Sequence, residues 1–290
     1  MISMDKEGVL MAQQTLSSAT TKRSLGWIGV FLVALTYVFL YGMNLWLPLA
    51  WSNYTSRIWD WTQTTLTLAA LAVVIMKRQN LSVGLFLLGF ILGGISAFSH
   101  SLHDPDIWGS LKEGLGVLLC LSGGAAIFRD LRQHVVLTFQ GSWVQIGQSL
   151  LIGTALAIPL AAFNNFYFYM NSGSFQFTNW FYSAIEALSP GIHEEIIFRF
   201  FVLALVYNLL KEMPPSRWIT VAAVVLAVVP HSLNHLPDLF LQNPVMALVL
   251  LVATSLLFGL PMAMLQIRRN LESAIAFHWF IDFMRFLFGF

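Results

Sequence analysis

No charged side chain falls between Leu25 and Ala50, and apolar stretches follow at about 58–76, 81–99, 108–128, 142–163, 180–210, 217–236, 244–265 and 271–290. A helix needs roughly 20 apolar residues to cross a hydrocarbon core. Within that core every backbone N–H and C=O must find a partner inside the protein. Nine such stretches predict an all-α, polytopic membrane bundle of about 8–9 transmembrane helices. Composition excludes a soluble alternative: 57% of the 290 residues are hydrophobic and 10% charged, against about 25% charged in a soluble domain. The first stretch is too long for the apolar region of a signal peptide and follows Lys22 and Arg23, so it reads as a retained helix.

Charge sets the orientation. After Lys6, Lys22 and Arg23, basic pairs occupy every second loop: Lys77 with Arg78, Arg129 with Arg132, Lys211 with Arg217, and Arg268 with Arg269. The loops between hold only Arg57 and Lys112 as bases, which predicts a cytoplasmic N-terminus and an external C-terminus. In a bacterium the host bilayer would be the cytoplasmic membrane. Trp46, Trp51, Trp59 and Trp61 are expected where the first outer loop meets lipid. A net charge of +1 leaves no footprint for nucleic acid. Cys120 is the single cysteine, so disulfides within the chain and thiolate zinc sites are excluded. Residues 1–24 read as a cytoplasmic tail, 25–140 as accessory helices, and 141–290 as the core, because nearly all buried polarity follows residue 140.

That polarity centres on GIHEEIIFRF, residues 191–200. A charge at the centre of a membrane helix costs about 2.5–3.5 kcal/mol, so intramembrane ionisable groups are functional suspects. Glu195 and Arg199 are spaced i,i+4 and suit an ion pair, while Glu194 points about 100° away and is free to face a cavity. Pro190–Gly191 is expected to break the segment, leaving Phe177–Ser189 as an amphipathic or interfacial helix. His231 and His235 form a second i,i+4 pair with Asn234 beside them, and His278 and Asp282 a third. Counting 1.5 Å per residue from the flanking arginines puts His278 near mid-membrane and the other groups further out. His278 therefore fits a common cavity least well.

A glutamate and histidines in a wet pocket can hold and deprotonate water, and a further histidine can stabilise an oxyanion. Neither GxSxG nor HExxH is present, since His193-Glu194-Glu195 continues as Ile-Ile-Phe-Arg. Glu194-Glu195-x-x-x-Arg199, a histidine about forty residues on, and His278-x-x-x-Asp282 resemble the three motifs of the CPBP family, which comprises the CAAX prenyl proteases and bacteriocin-processing enzymes. The run LLFGLPMAMLQIRRNLESAIAFHWFID is similar to the family's approach to its last motif. The resemblance covers about residues 177–285 and implies an intramembrane endopeptidase with a CAAX-protease-like core.

Carried over, the resemblance makes Glu194 the base on the attacking water and Glu195 with Arg199 its supporting pair. His235 would share the water, with His231 as the alternative alignment, and His278 with Asp282 would orient the carbonyl or bind the oxyanion. The second motif usually opens with phenylalanine, where this chain has His231; the third often ends in asparagine, where it has Asp282. A variant of the same reading has Glu194, His235 and His278, with His231 as a further candidate, holding zinc as in a metalloprotease. The implied partners are a peptide or membrane-protein substrate, prenylated or not, and the lipid bilayer.

Two other classes use the same residues. A proton-coupled transporter would run its relay through them, but inverted repeats are lacking. A non-catalytic scaffold or immunity protein would keep the fold alone. Singly, each motif also suits plain packing: a buried ion pair, interfacial histidines, an interhelical hydrogen bond. His100-Ser-Leu-His103-Asp104-Pro-Asp106 has metal-like composition but reads as a solvated loop. Arg285, in the C-terminal FMRFLFGF, is expected to snorkel or pair.

Overall fold

The computed structural model describes residues 6–49, 53–131 and 142–290. No strand forms among them, as a chain that must satisfy its own backbone in lipid requires. The first half contains α1 (Lys6–Trp46), α2 (Tyr54–Met76), α3 (Val83–His103), α4 (Ile107–Asp130) and α5 (Trp143–Ser172). Then come α6 (Trp180–Glu186), α7 (Leu188–Glu194), α8 (Val202–Leu209) and α9 (Arg217–Asn234). The chain ends with α10 (Pro237–Gln242), α11 (Pro244–Thr254), α12 (Leu260–Arg268) and α13 (Leu271–Leu287). Two π-helical turns, Glu195–Phe201 and Ser255–Gly259, carry α7 into α8 and α11 into α12.

Seven helical runs among the described residues are long and apolar enough to cross a bilayer: Arg23–Trp46, α2, α3, α4, α5, α9 and Pro244–Arg268. The two other expected crossings are also helical. One is the run through α7 and α8, which carries Glu194, Glu195 and Arg199; the other is α13, 17 residues long. The chain is a polytopic α-helical membrane protein. Residues assigned above to a tail are helical from Lys6 onward, while Trp51 and Arg132 lie outside the described residues.

Helices start where a side chain can satisfy the first free N–H groups. Asn53, Asp106, Asn179, Ser216, Asn243 and Asn270 each cap the helix that follows. Ser142 and Gln145 make a reciprocal capping box on α5. Asp106 therefore serves helix α4 through Trp108 N and Gly109 N, which accounts for part of the acidic loop noted above.

Lipid gives helices no hydrophobic reason to associate, so close packing holds them together. Ile196, Ile197, Phe200 and Phe201 of the π turn are buried in one apolar cluster with Val117, Leu121 and Ile127 of α4 and Ala70 and Val73 of α2. A second cluster joins α1, α8 and α9 through Val30, Val206 and Ala223. A third joins α5, α12 and α13 through Ala157, Met262 and Phe277. The glutamate-bearing run is thus the central helix of the bundle, walled on one side by α2 and α4 and faced on the other by α9 and α13.

Helices α5 and α13 pack closely at Gly153, where an added Cβ would stand 2.2 Å from the Ser273 carbonyl oxygen. Backbone cannot yield there as a flexible side chain would. Gly153→Ala is expected to lower thermal stability in detergent by the roughly 1–3 kcal/mol of an overpacked contact. Gly94→Ala, whose Cβ would meet nothing within 4 Å, is the control and should leave the melting temperature unchanged or slightly higher.

Candidate active site

The central helix is locked at its start by α3 and α4. Ser99 Oγ donates to the carbonyls of Ile185 (2.7 Å) and Glu186 (3.0 Å) and accepts from Ser189 N (2.9 Å). Buried Glu113 accepts from Ser96 Oγ at 2.5 Å and Ser189 Oγ at 2.7 Å, with His100 Nδ1 3.0 Å away. The helix break expected at Pro190–Gly191 falls instead at Ala187, between α6 and α7. Pro190 lies in the first turn of α7, where its missing N–H leaves nothing unsatisfied. Gly191 lets α7 approach α13: a Cβ there would lie 3.1 Å from Trp279 Cα. The segment expected as one interfacial helix, Phe177–Ser189, is therefore a non-helical start through Asn179, then α6, the break and the first residues of α7.

Beyond Glu194 the helix widens into the π turn, and all seven of its residues are buried. Such turns insert a residue into the helical ladder and recur at functional sites. Arg199 Nη1 lies 3.0 Å from Glu195 Oε1, both side chains wholly buried, in an ion contact not aligned as a hydrogen bond. Arg199 Nη2 reaches His231 Nδ1 at 3.1 Å. A guanidinium has no acceptor, so Arg199 donates and Nδ1 carries the lone pair. The proton of neutral His231 then resides on Nε2, which meets Glu194 Oε2 at 2.5 Å. On α13, His278 Nδ1 contacts Glu195 Oε1 at 2.7 Å. Its Nε2 faces Asp282 Oδ2 at 3.3 Å and Glu194 Oε2 at 3.6 Å. Asp282 Oδ1 lies 3.3 Å from Arg285 Nη2, so Arg285 is paired.

The structure thus brings together Glu194, Glu195, Arg199, His231, His278 and Asp282. His235 stands one turn beyond His231, its ring 5.2 Å away, exposed to the cavity rather than bonded to Glu194. All seven residues except Glu195 line one cavity of about 430 Å³. Its other walls are mostly apolar, with Phe163 and Phe168 from α5, Leu250 and Leu257 from the α11 run, and Met262 from α12, interrupted by Asn164, Tyr167 and Thr254. His278 belongs in this cavity although counting from Arg269 placed it poorly. The count from Arg269 gave a position along α13 alone; what brings His278 to the cavity is the packing of α13 against α7 and the π turn.

Two side chains that sequence reasoning missed complete the site, both from helices assigned an accessory role. Tyr37 Oη of α1 lies 2.7 Å from the Pro230 carbonyl oxygen and 2.8 Å from Asn234 Oδ1, tying down the end of α9 that bears both histidines. Trp59 of α2, expected at the lipid interface, instead sets its ring edge-on to Phe198, His231 and His235, with centroids 5.1–5.5 Å apart. Its neighbours Asp60 and Trp61 gave a surface-like context that hid this role. A phenol in mid-span was the one signal for Tyr37.

Zinc does not fit the site as hydrogen bonded. The residues whose ligand atoms lie within 4.8 Å of one another are Glu194, His231 and His235, without His278. Arg199 holds the lone pair of His231 on Nδ1, so Nε2 has none for a metal. Both nitrogens of His278 face carboxylate oxygens.

A polytopic helical membrane protein with a buried Glu/His/Arg site in its second half is the class this geometry defines. Residues 176–284 match the family described as type II CAAX prenyl endopeptidase Rce1-like, which bears out the resemblance read from the three motifs. No curated protein and no solved structure matches the chain.

Breaking a buried ion pair from one side leaves an uncompensated charge, at about 3–5 kcal/mol. Arg199→Leu is expected to cost about that much in thermal or denaturant unfolding, and Arg199→Leu with Glu195→Gln to recover a large part. Equal stability of Arg199→Leu and the native protein would contradict the burial described.

Proposed function

We propose that the chain is an intramembrane endopeptidase of the CAAX type, hydrolysing a peptide bond with water activated by Glu194. The observation that carries this reading is the 2.5 Å hydrogen bond between His231 Nε2 and Glu194 Oε2 at the wall of an apolar cavity. The Rce1-like match over the same residues supports it. In this reading His231, rather than His235, is the histidine of the second motif.

His231 donates through Nε2 to one oxygen of Glu194, leaving the other for water in the cavity. Glu194 takes a proton from that water as its oxygen bonds to the carbonyl carbon, and the carbonyl π electrons move onto oxygen. His278, whose Nε2–H would turn from the long 3.3 Å contact with Asp282 to the developing oxyanion, is the donor for it. Asp282, acceptor-only when ionised, orients the His278 ring and does not itself bind the oxyanion. Collapse breaks the C–N bond, and Glu194 returns its proton to the departing amine. Glu195 and Arg199 hold both histidines in register, and His235 lines the water-filled side. The apolar walls suit a peptide or membrane-protein segment with apolar or prenylated flanks.

Purified protein in detergent or nanodiscs, incubated with quenched fluorescent peptides including farnesylated ones, tests the reading. Glu194→Gln is expected to lower kcat by roughly 10²–10⁴-fold, the share of a general base. Strong chelators should leave the native rate unchanged; loss of activity on chelation, restored by zinc, would contradict the metal-free site. Tyr37→Phe should lower kcat with little change in KM, because it loosens α9 without touching substrate.

A further inference from the structure

A second cavity lies on the far side of Trp59. It measures about 510 Å³ and is lined by Ser56, Asp60 and Gln63 of α2, His100 of α3 and Lys112 of α4. At its mouth Ser56 and Asp60 are exposed, and Asp60 pairs with Lys112. At its floor Gln63 is only 8% exposed, and its Nε2 has no hydrogen-bond partner among the described residues. Thr67 Oγ1, one turn further along α2, is likewise buried and unpartnered. An added Cβ at Gly116 would stand 3.1 Å from Thr67 Oγ1 and 3.7 Å from Gln63 Nε2, so both converge on one bare stretch of α4. Buried polar atoms without protein partners are where proteins hold internal water.

Trp59 belongs to both cavities. Its ring lines the polar one and stands edge-on to His231 and His235, which line the catalytic one. One indole thus separates a polar cavity with an exposed mouth from the histidines beside Glu194. Gln63 lies four residues from Trp59 on the same face of α2, so water held by its amide sits next to that ring. Each hydrolysis consumes a water, and a peptide filling the mostly apolar catalytic cavity shuts out water from its own side. We propose that the polar cavity is a water site that supplies the attacking water, passed at the edge of Trp59 when its ring turns. The proposal rests on the peptidase reading.

The test fills the polar cavity and leaves the catalytic one alone. Full-length Cys120→Ala/Gln63→Cys protein in nanodiscs is treated with a charged methanethiosulfonate, Cys120 being the single native cysteine. Mass spectrometry follows the extent of modification. Modification is expected to lower kcat for a quenched peptide roughly ten-fold or more with KM unchanged, as when access replaces chemistry as the slow step. Dithiothreitol should restore the rate. The melting temperature, and peptide affinity measured in the Glu194→Gln background, should stay where they were, whereas a structural role for Gln63 would move them. Should Gln63→Cys not fold, Ser56→Cys at the exposed mouth takes a bulkier reagent with the same expectation.

A cysteine that the reagent never reaches, or complete modification with an unchanged rate, overturns the proposal and leaves the peptidase reading standing. Loss of peptide affinity on modification overturns it too, because the cavity would then be part of the peptide site. Native protein that cleaves no peptide removes the peptidase reading and this one with it.

Discussion

The guanidinium of Arg199 lies with no solvent exposure between Glu195 of its own helix and His231 of α9. Two buried charges in a membrane bundle are tolerated only because each is compensated, and the compensation organises everything around it. Glu195 Oε1 is shared by Arg199 and His278, so α13 is drawn to the same point as α9. The other arm of Arg199 sets which nitrogen of His231 is protonated. That choice turns Nε2 toward Glu194 as a donor. Adjacent glutamates thus divide their work: Glu195 fixes the histidines, and Glu194 keeps an oxygen for the cavity.

The surrounding helices hold this arrangement in place. Polar contacts from Ser99 and Glu113 set where the central helix begins, and the π turn that follows is buried on every side. Tyr37 and Trp59 then hold the histidine-bearing end of α9 from the far side. Helices that looked like accessories in sequence share one apolar cluster with the glutamate-bearing segment. Helices α5, α11 and α12 supply the mostly apolar part of the cavity lining, facing the polar wall that carries Glu194, His231 and His278.

Hydropathy and charge spacing made the helical bundle legible, because lipid forces long apolar helices and penalises every stray charge. The same penalty marked out Glu194, Glu195, Arg199, His231, His278 and Asp282 before any geometry was known. Helical periodicity also gave the Glu195–Arg199 contact, since a π turn still leaves residues four apart within reach. What periodicity could not give was contact between helices distant in the chain. His231 and His235 are alike in sequence, and only the arm of Arg199 distinguishes them. Tyr37 and Trp59 sit in stretches whose composition suits lipid or its interface, and their roles depend on packing across the bundle. Pro190 suggested a break because proline usually ends helices; in a first turn it does not.

The protonation of His231 is the most direct gauge of this account. Nitrogen NMR of protein labelled with ¹⁵N-histidine in nanodiscs at neutral pH, with His231→Gln to assign the ring, reads it without reference to substrate. A bare Nδ1 accepting a hydrogen bond, with the proton on Nε2, is the predicted result. A proton on Nδ1 would mean that Arg199 does not hold the ring, that Nε2 is free to bind a metal, and that the link from Glu195 to Glu194 is not made.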